Sequence, residues 1–116
     1  MYNGAKYDSK KEAEYAKILD DLLDRGEIAG WKRQVRFPLP DLNWLETGST
    51  KSWYGADFVV STLDGRECIV EVKGVLTDAN KAKYSLFQYY YKRKIYIVRT
   101  TGTEKMNTNW LTYKEE

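Results

Sequence analysis

Two short apolar stretches in the middle of the chain each contain an acidic residue, and they constrain the fold more than any other feature. Asp57 lies within Tyr54–Val60, and Glu71 lies within Cys68–Gly74. Both stretches have the length and residue types of buried β-strands. Only a short polar segment that contains Leu63–Gly65 separates them. The sequence therefore predicts a β-hairpin with one carboxylate on each buried strand.

The length of the hairpin loop decides whether the two acids meet. A three-residue loop, Leu63–Gly65, places its glycine at the left-handed position and pairs Thr62 with Arg66. Counting back along both strands then puts Asp57 directly opposite Glu71. Directly opposite residues share a face of the sheet, so both side chains point to the same side.

A two-residue loop gives the opposite result. It would pair Asp57 with Val72 and send the two acids to opposite faces. We favour the three-residue loop because it also places Val70 and Val72 together on the face that Glu71 does not use.

Two carboxylates across a ladder lie about 5 Å apart at Cβ and repel each other as bare anions. A divalent cation between them removes this penalty and matches hard oxygen ligands, to which the Val72 carbonyl can add. Lys73 lies on the same strand face as Glu71. Two acids and a lysine that converge in this way predict a metal-dependent nuclease site. A structural Glu71–Lys73 ion pair would explain part of the pattern.

The composition excludes several other chemistries. The chain has 116 residues, which predicts a single domain over residues 1–116. It has no histidine, which excludes Ser-His and Cys-His catalysis, and a single cysteine, Cys68, which cannot form a zinc site. The net charge is only +2, so a basic surface has to come from local clustering.

No signal peptide is visible, and no apolar run approaches the roughly 20 residues that a membrane-spanning helix needs. These features predict a cytoplasmic protein with no membrane partner. The predicted location would be the host cytoplasm if a phage encodes the chain.

The remaining sequence predicts an α-β-β-β-α-β order. Ser9 and Glu12 form a capping box at the start of a helix that runs to about Arg25, with Gly26 just past its end. Residues 34–39 have the pattern of a short strand. Pro38 predicts that this strand lies at an edge of the sheet or that the proline lies near the end of the strand. We further predict a loop over 40–52, strands over 53–61, 66–73 and 94–99, and a helix over 79–92.

This order predicts an α/β fold with a mixed sheet and helices packed on it. The last strand–helix–strand step should be a right-handed parallel crossover. Trp110 and Leu111, in the ambiguous tail, are candidates to pack back on the core.

Glu12 has two interpretations. The helical periodicity places it near the middle of an apolar stripe, where an acid is unusual. That stripe is formed by Tyr15, Ala16, Leu19, Leu22 and Leu23. In one interpretation Glu12 caps the helix through the Ser9 amide. In the other it reaches towards the metal, directly or through water.

Several cationic residues flank the predicted site. Lys6, Lys10 and Lys11 surround the start of the first helix, and Lys81 and Lys83 follow the Glu71 strand after a short loop. Such residues usually solvate a helix face. Their positions near the metal would also suit contacts to phosphate groups. Tyr89–Tyr91 could stack on bases, although tyrosines in an amphipathic helix more often pack against the core.

The motif order resembles the PD-(D/E)XK nuclease superfamily and implies a restriction-endonuclease-like fold. Asp57 on one strand, Glu71-Val72-Lys73 on the next and Glu12 on the preceding helix carry the resemblance. The chain is also similar to small phage-encoded members, in particular the podovirus endonuclease I class, which resolves branched DNA. It departs from the motif at Ala56, where the superfamily name indicates proline. The stretch 40–52 matches nothing we can place, and would fit an insertion or a dimer element.

The resemblance implies hydrolysis of DNA phosphodiester bonds with Mg²⁺ or Mn²⁺. Asp57 and Glu71 would hold the metal with the Val72 carbonyl, and Glu12 would complete an outer or second metal position. Lys73 would position or deprotonate the attacking water, or stabilise charge on the phosphate. Gln34 matches a recurrent polar position and would orient water or phosphate.

The sequence thus favours a phage Holliday-junction resolvase that acts in DNA recombination as a homodimer. Two alternatives stay open. One is a nicking, flap or DNA-degrading nuclease that uses the same site. The other is a non-catalytic DNA-binding or assembly protein on a nuclease-like fold.

Overall fold

The computed structural model describes residues 10–39, 52–100 and 106–112. It shows an α/β fold in the predicted α-β-β-β-α-β order, with a four-stranded mixed sheet and two helices. The elements are α1 (Lys10–Asp24), β1 (Ile28–Leu39), β2 (Ser52–Thr62), β3 (Glu67–Lys73), α2 (Asp78–Tyr91), β4 (Ile95–Arg99) and a short 3₁₀ helix (Asn109–Leu111). Three predictions lie outside the described residues: the Ser9 cap, the position of Lys6, and the loop apart from Ser52, which belongs to β2.

The strands lie in the order β1-β2-β3-β4, and the predicted pairings of β2 with β3 and of β3 with β4 are confirmed. β1, β2 and β3 are antiparallel neighbours, whereas β3 and β4 are parallel. Pro38 lies in β1, an edge strand, where its missing amide hydrogen is tolerated. The predicted start of β1 at residue 34 was wrong. The strand begins at Ile28 because it pairs with almost the full length of β2, with an irregularity next to Gly30.

Each helix covers one face of the sheet. On one face, Tyr15, Ala16, Leu19 and Leu22 of α1 pack in a core that includes Phe58 and Val70. On the other face, Tyr84 and Phe87 of α2 pack in a second core with Tyr54 and Ile69. The prediction for the α1 stripe holds except at Leu23, which is 39% exposed in the last turn of the helix. The two cores fix both faces of the central strands.

The hairpin between β2 and β3 has the predicted three-residue loop. Thr62 donates its backbone N–H to the Arg66 carbonyl at 2.9 Å, and Gly65 adopts the left-handed conformation with φ of 87°. The pairs run from Ser61–Glu67 to Phe58–Val70. This is the register that was expected from the loop.

The segment 106–112 is held against the sheet, as was expected for Trp110. The Arg66 guanidinium donates to the carbonyl of Trp110 at 3.2 Å and to that of Leu111 at 2.7 Å. Trp110 is 1% exposed and its indole N–H donates to the Tyr15 hydroxyl. Cys68 is buried beside it, in line with a core-packing role.

In the part of the chain that the structure describes, no helix combines the length and the apolar character required to cross a lipid bilayer.

Gly65 provides a test of the loop on which the register depends. Gly65→Ala should lower the free energy of unfolding by about 1–2 kcal/mol, because a Cβ disfavours the left-handed conformation. Gly30→Ala is the matched control, since Gly30 does not have a left-handed φ and an added Cβ would meet no atom within 4 Å. Urea unfolding measures both changes. Equal stability of the two variants would contradict the three-residue loop.

Candidate metal centre

The site lies where β2 and β3 separate. Their pairing ends at Phe58–Val70. Beyond that point β2 continues along β1 as a two-stranded ribbon. Over the same length β3 pairs with β4, and Glu71 lies opposite Ile97. The register carries Asp57 to the position across from Glu71, at the opening of the split.

The β1–β2 ribbon changes face at the same level. Regular alternation would keep Tyr54, Ala56 and Phe58 on one face of β2. Instead Tyr54 and Ala56 belong to the core under α2, whereas Phe58 belongs to the core under α1. The switch therefore falls at Asp57.

β1 changes face opposite this point. Trp31 packs against the α1 core, whereas Val35 and Phe37 pack against the α2 core, although all three have the same parity in the strand. Gln34 lies between them with a left-handed φ of 52°. The flanking pairs Arg33–Phe58 and Val35–Ala56 place Gln34 across from Asp57, where no regular pair forms. A non-glycine residue in this conformation is strained, and such strain is concentrated at functional sites.

The two carboxylates replace the ladder hydrogen bonds that are lost at the split. Asp57 Oδ2 accepts from the backbone N–H of Val72 at 2.9 Å. Glu71 Oε1 accepts from the backbone N–H of Asp57 at 3.2 Å. Each acid thus binds a backbone amide of the opposite strand, and both are buried, with Asp57 7% and Glu71 2% exposed. This exchange brings the two carboxyl groups together, as the register predicts.

Two tyrosines complete the surroundings of Glu71. The Tyr54 hydroxyl donates to Glu71 Oε1. Burial, together with the nearby charge of Glu71, raises the pKa of Tyr54 above its ordinary value, so the hydroxyl keeps its proton. Burial also raises the pKa of Tyr84, and the charge of Glu71 adds to this effect.

The pair of acids is electrostatically uncompensated. Burial raises the pKa of Glu71 to about 8, and the charge of Asp57 adds to the rise. The structure has no ion pair between either carboxylate and a cationic side chain of the described ranges. The metal-free pair therefore resists carrying two negative charges, because two buried anions are costly without a cation beside them. The donor set therefore fits a divalent metal ion.

The number of ligands suits Mg²⁺ or Mn²⁺. Mg²⁺ in proteins commonly takes one or two carboxylates, several waters and phosphate oxygens of the substrate. Asp57 and Glu71 supply the carboxylates. The Val72 N–H points to β2, and in an extended strand the carbonyl of the same residue points the same way. Val72 therefore can present its oxygen to the same cation.

Glu12 is buried on α1 and is not grouped with this pair. It is 5% exposed on α1 and accepts a hydrogen bond from the Gln34 side chain at 3.3 Å. Residues 10–39, 52–100 and 106–112 contain no group of three or more acidic or cysteine side chains arranged to hold a metal. Gln34, across the ribbon from Asp57, connects Glu12 to the site. Direct binding of a metal by Glu12 stays a prediction.

The predicted cationic residues within the described ranges differ in exposure. Lys73 is half-buried at the end of β3, two residues beyond Glu71. Lys10 and Lys11 are exposed at the start of α1, and Lys11 pairs with Glu14 at 3.5 Å. Lys81 and Lys83 are exposed in the first half of α2, which follows β3 after a short loop. Contacts of these lysines with phosphate stay predictions.

Sequence reasoning missed Tyr54 and Tyr84. A tyrosine in a buried strand needs a partner for its hydroxyl, and that need was the available signal for Tyr54. Tyr54 is three residues from Asp57, and regular alternation would place the two side chains on opposite faces of β2. The alternation is broken at Asp57, so this expectation does not hold. Tyr84 lies on the apolar face of α2, so the sequence predicted that it packs in the core and gave no sign that it lies near an acid.

These features define a class: an α/β protein with a buried pair of carboxylates at a strand split and a lysine two residues beyond one of them. Residues 1–105 match the model of the family described as "Protein of unknown function (DUF1064)", and the chain belongs to that family. Comparisons with the curated proteins and with the solved structures gave no significant match.

The raised pKa of Glu71 predicts a pH-dependent stability. Its ordinary value is 4.5 and its value in the folded, metal-free protein is about 8. Between these values the folded state binds more protons than the unfolded chain. The free energy of unfolding therefore falls as pH rises through this window, by at most about 1.4 kcal/mol per pH unit.

Urea unfolding in EDTA between about pH 5 and pH 8 measures this fall. Glu71→Gln is the control, because it keeps an acceptor for the Asp57 amide and cannot titrate. The wild-type protein should lose stability relative to this variant as pH rises. A constant difference over the range would contradict the raised pKa.

Proposed function

We propose that the protein is a metal-dependent DNA endonuclease that hydrolyses phosphodiester bonds, and that branched DNA of the Holliday-junction type is its preferred substrate. The observation that carries the proposal is the reciprocal bonding of Asp57 and Glu71 at the strand split. It joins two buried acids that no cationic side chain of the described residues neutralises. Lys73 follows on the same strand.

The residues have distinct roles in this proposal. Asp57 and Glu71 hold Mg²⁺ or Mn²⁺, with the Val72 carbonyl as a further ligand. When bound, a divalent cation polarises the phosphate and lowers the pKa of a coordinated water. Lys73 positions or helps to deprotonate the attacking water, or stabilises the charge that develops on the phosphate. Tyr54 fixes the orientation of Glu71 through its hydroxyl hydrogen bond.

The surrounding residues bind and orient the substrate. Gln34 and Glu12 act as a hydrogen-bonded pair that places water or phosphate next to Asp57. Lys6, Lys10, Lys11, Lys81 and Lys83 contact phosphates on either side of the scissile bond. Junctions have paired cleavage points, which a two-fold homodimer would match. We expect the enzyme to act in the cytoplasm, where DNA is accessible to it.

The resemblance of the motifs to phage-encoded junction resolvases supports the choice of substrate. A general nicking, flap or DNA-degrading nuclease would use the same residues and would cut plain duplex as well as junctions. A DNA-binding or assembly protein on a nuclease-like fold would bind junctions and cut nothing. The choice between these three is therefore experimental.

The first test is incubation with a four-way junction, a linear duplex and a single strand, with Mg²⁺ or with EDTA. We expect symmetric cuts in the junction, only with Mg²⁺. Lys73→Ala or Glu71→Gln should lower the cleavage rate about a hundredfold or more and leave junction affinity largely intact. Lys32→Ala, at an exposed position of β1, is the control and should cut normally. Wild-type cleavage by either site variant would contradict the assigned roles.

A second test concerns Glu12. Glu12→Gln should lower the cleavage rate about 10- to 100-fold, the usual effect of a group that orients metal ligands from outside the first shell. Asp21→Asn is the matched control, because Asp21 is an exposed acid on the same helix. Single-turnover kinetics at saturating enzyme measure both. Equal rates for the two variants would leave Glu12 with a structural role alone.

A further inference from the structure

A basic cleft lies at the end of the sheet opposite to the candidate metal centre. An open cleft of about 490 Å³ is lined by Arg66, Glu67, Cys68, Lys92, Arg93, Lys94 and Tyr96. Because β3 and β4 are parallel, the start of β3 and the residues that lead into β4 lie at the same end of the sheet. Glu67 precedes Glu71 by four residues, about 13 Å along the strand. The cleft is therefore separate from the candidate metal centre.

The cleft carries a net positive charge, although two of its cations are paired with carboxylates. Four cationic residues line the cleft against one carboxylate, Glu67. The Arg66 guanidinium is held by Asp64 at 3.0 Å and by the carbonyls of segment 106–112. Arg93 is held by the Glu67 carbonyl at 3.1 Å and its carboxylate at 3.4 Å. These hydrogen bonds hold both guanidinium groups in the lining of the cleft.

The lysines are arranged on aromatic rings. Lys92 Nζ lies 4.3 Å from the centre of the Tyr89 ring, and Lys94 Nζ lies 5.0 Å from that of Tyr96. Lys92 ends α2 in the left-handed conformation, with φ of 57°. Glycine or asparagine usually occupies this position, and lysine there is strained.

A purely structural explanation of these cations is that they interact favourably with the dipole at the C-terminal end of α2. This accounts for Lys92, Arg93 and Lys94 in part. It does not account for Arg66, which directly precedes β3, nor for a strained lysine at a position that favours glycine. Cations interleaved with exposed aromatic rings are instead the surface that binds a nucleic-acid backbone and its unstacked bases. Tyr89 is 75% exposed, so the face of its ring that Lys92 does not cover is open to solvent.

We infer that this cleft binds the phosphodiester backbone of DNA at a place remote from the scissile bond. The inference rests on the proposed function, since that function makes DNA the substrate. A distance of about 13 Å corresponds to about four nucleotides along one strand. The cleft thus adds affinity and orientation without touching the reacting phosphate. It should change binding and leave the rate of the bound complex unaltered.

The test uses the full chain and a fluorescent four-way junction or linear duplex in EDTA, over a range of salt. The cleft variant combines Lys92→Gln, Arg93→Gln and Lys94→Gln. The matched control combines Lys17→Gln, Arg25→Gln and Lys32→Gln, three exposed positions that give the same change in net charge. Anisotropy measures affinity, and circular dichroism verifies the fold.

The cleft variant should bind about tenfold or more weakly than the control, and its log–log salt dependence should be shallower by about two to three. Its single-turnover cleavage at saturating enzyme with Mg²⁺ should match that of wild type. Equal affinity and equal salt dependence of the two variants would overturn the inference that the cleft binds DNA. A wild-type protein that does not bind DNA in EDTA would overturn it as well.

Lys92→Gly keeps the test decisive if the triple variant does not fold. Glycine relieves the left-handed strain, so this variant should be at least as stable as wild type and still lose one phosphate contact. Its salt dependence should be shallower by about one. An unchanged slope would overturn the assignment. A wild-type protein that binds DNA through the cleft but cuts no DNA with Mg²⁺ would instead overturn the proposed nuclease function alone.

Discussion

The exchange of hydrogen bonds between two carboxylates and two backbone amides is the interaction on which the rest of the site depends. Where β2 leaves β3, the Val72 and Asp57 amides lose their ladder partners, and buried amides need acceptors. Asp57 and Glu71 supply them across the split. The strands can separate at this point because the acids close the gap. The same residues therefore stabilise the fold and form the candidate metal centre.

This arrangement also explains the electrostatic state of the site. The amide hydrogen bonds hold two carboxylates next to each other in a buried position, and the charge of one opposes the ionisation of the other. Tyr54 donates to Glu71 but remains neutral, so it orients the acid without balancing its charge. A divalent cation would satisfy both oxygens at once. The fit of the two acids to a divalent cation thus follows from their burial and their hydrogen bonds.

The sequence predicted the parts of the fold that depend on local chemistry. The loop that ends at Gly65 fixed the hairpin register and hence the meeting of Asp57 with Glu71. The periodicity of α1 predicted the burial of Glu12. By contrast, the strained conformation of Gln34 was not predictable, because glutamine has no preference for a positive φ.

The change of face at Asp57 was not predictable either. A strand predicted from its sequence is assumed to place successive side chains on alternate faces throughout its length. That one irregularity accounts for the missed role of Tyr54. The early start of β1 was missed for a related reason: residues 28–33 become a strand through their pairing with β2, and their own composition gives little sign of it. Tertiary pairing thus determined what local propensity left open.

The most direct test of the account is the location of Mn²⁺ in crystals of the protein, measured by anomalous diffraction. We predict a peak between the carboxylates of Asp57 and Glu71, next to the Val72 carbonyl, and its loss in Glu71→Gln crystals. An ion bound elsewhere, with the two carboxylates still facing each other and empty, would contradict the central claim.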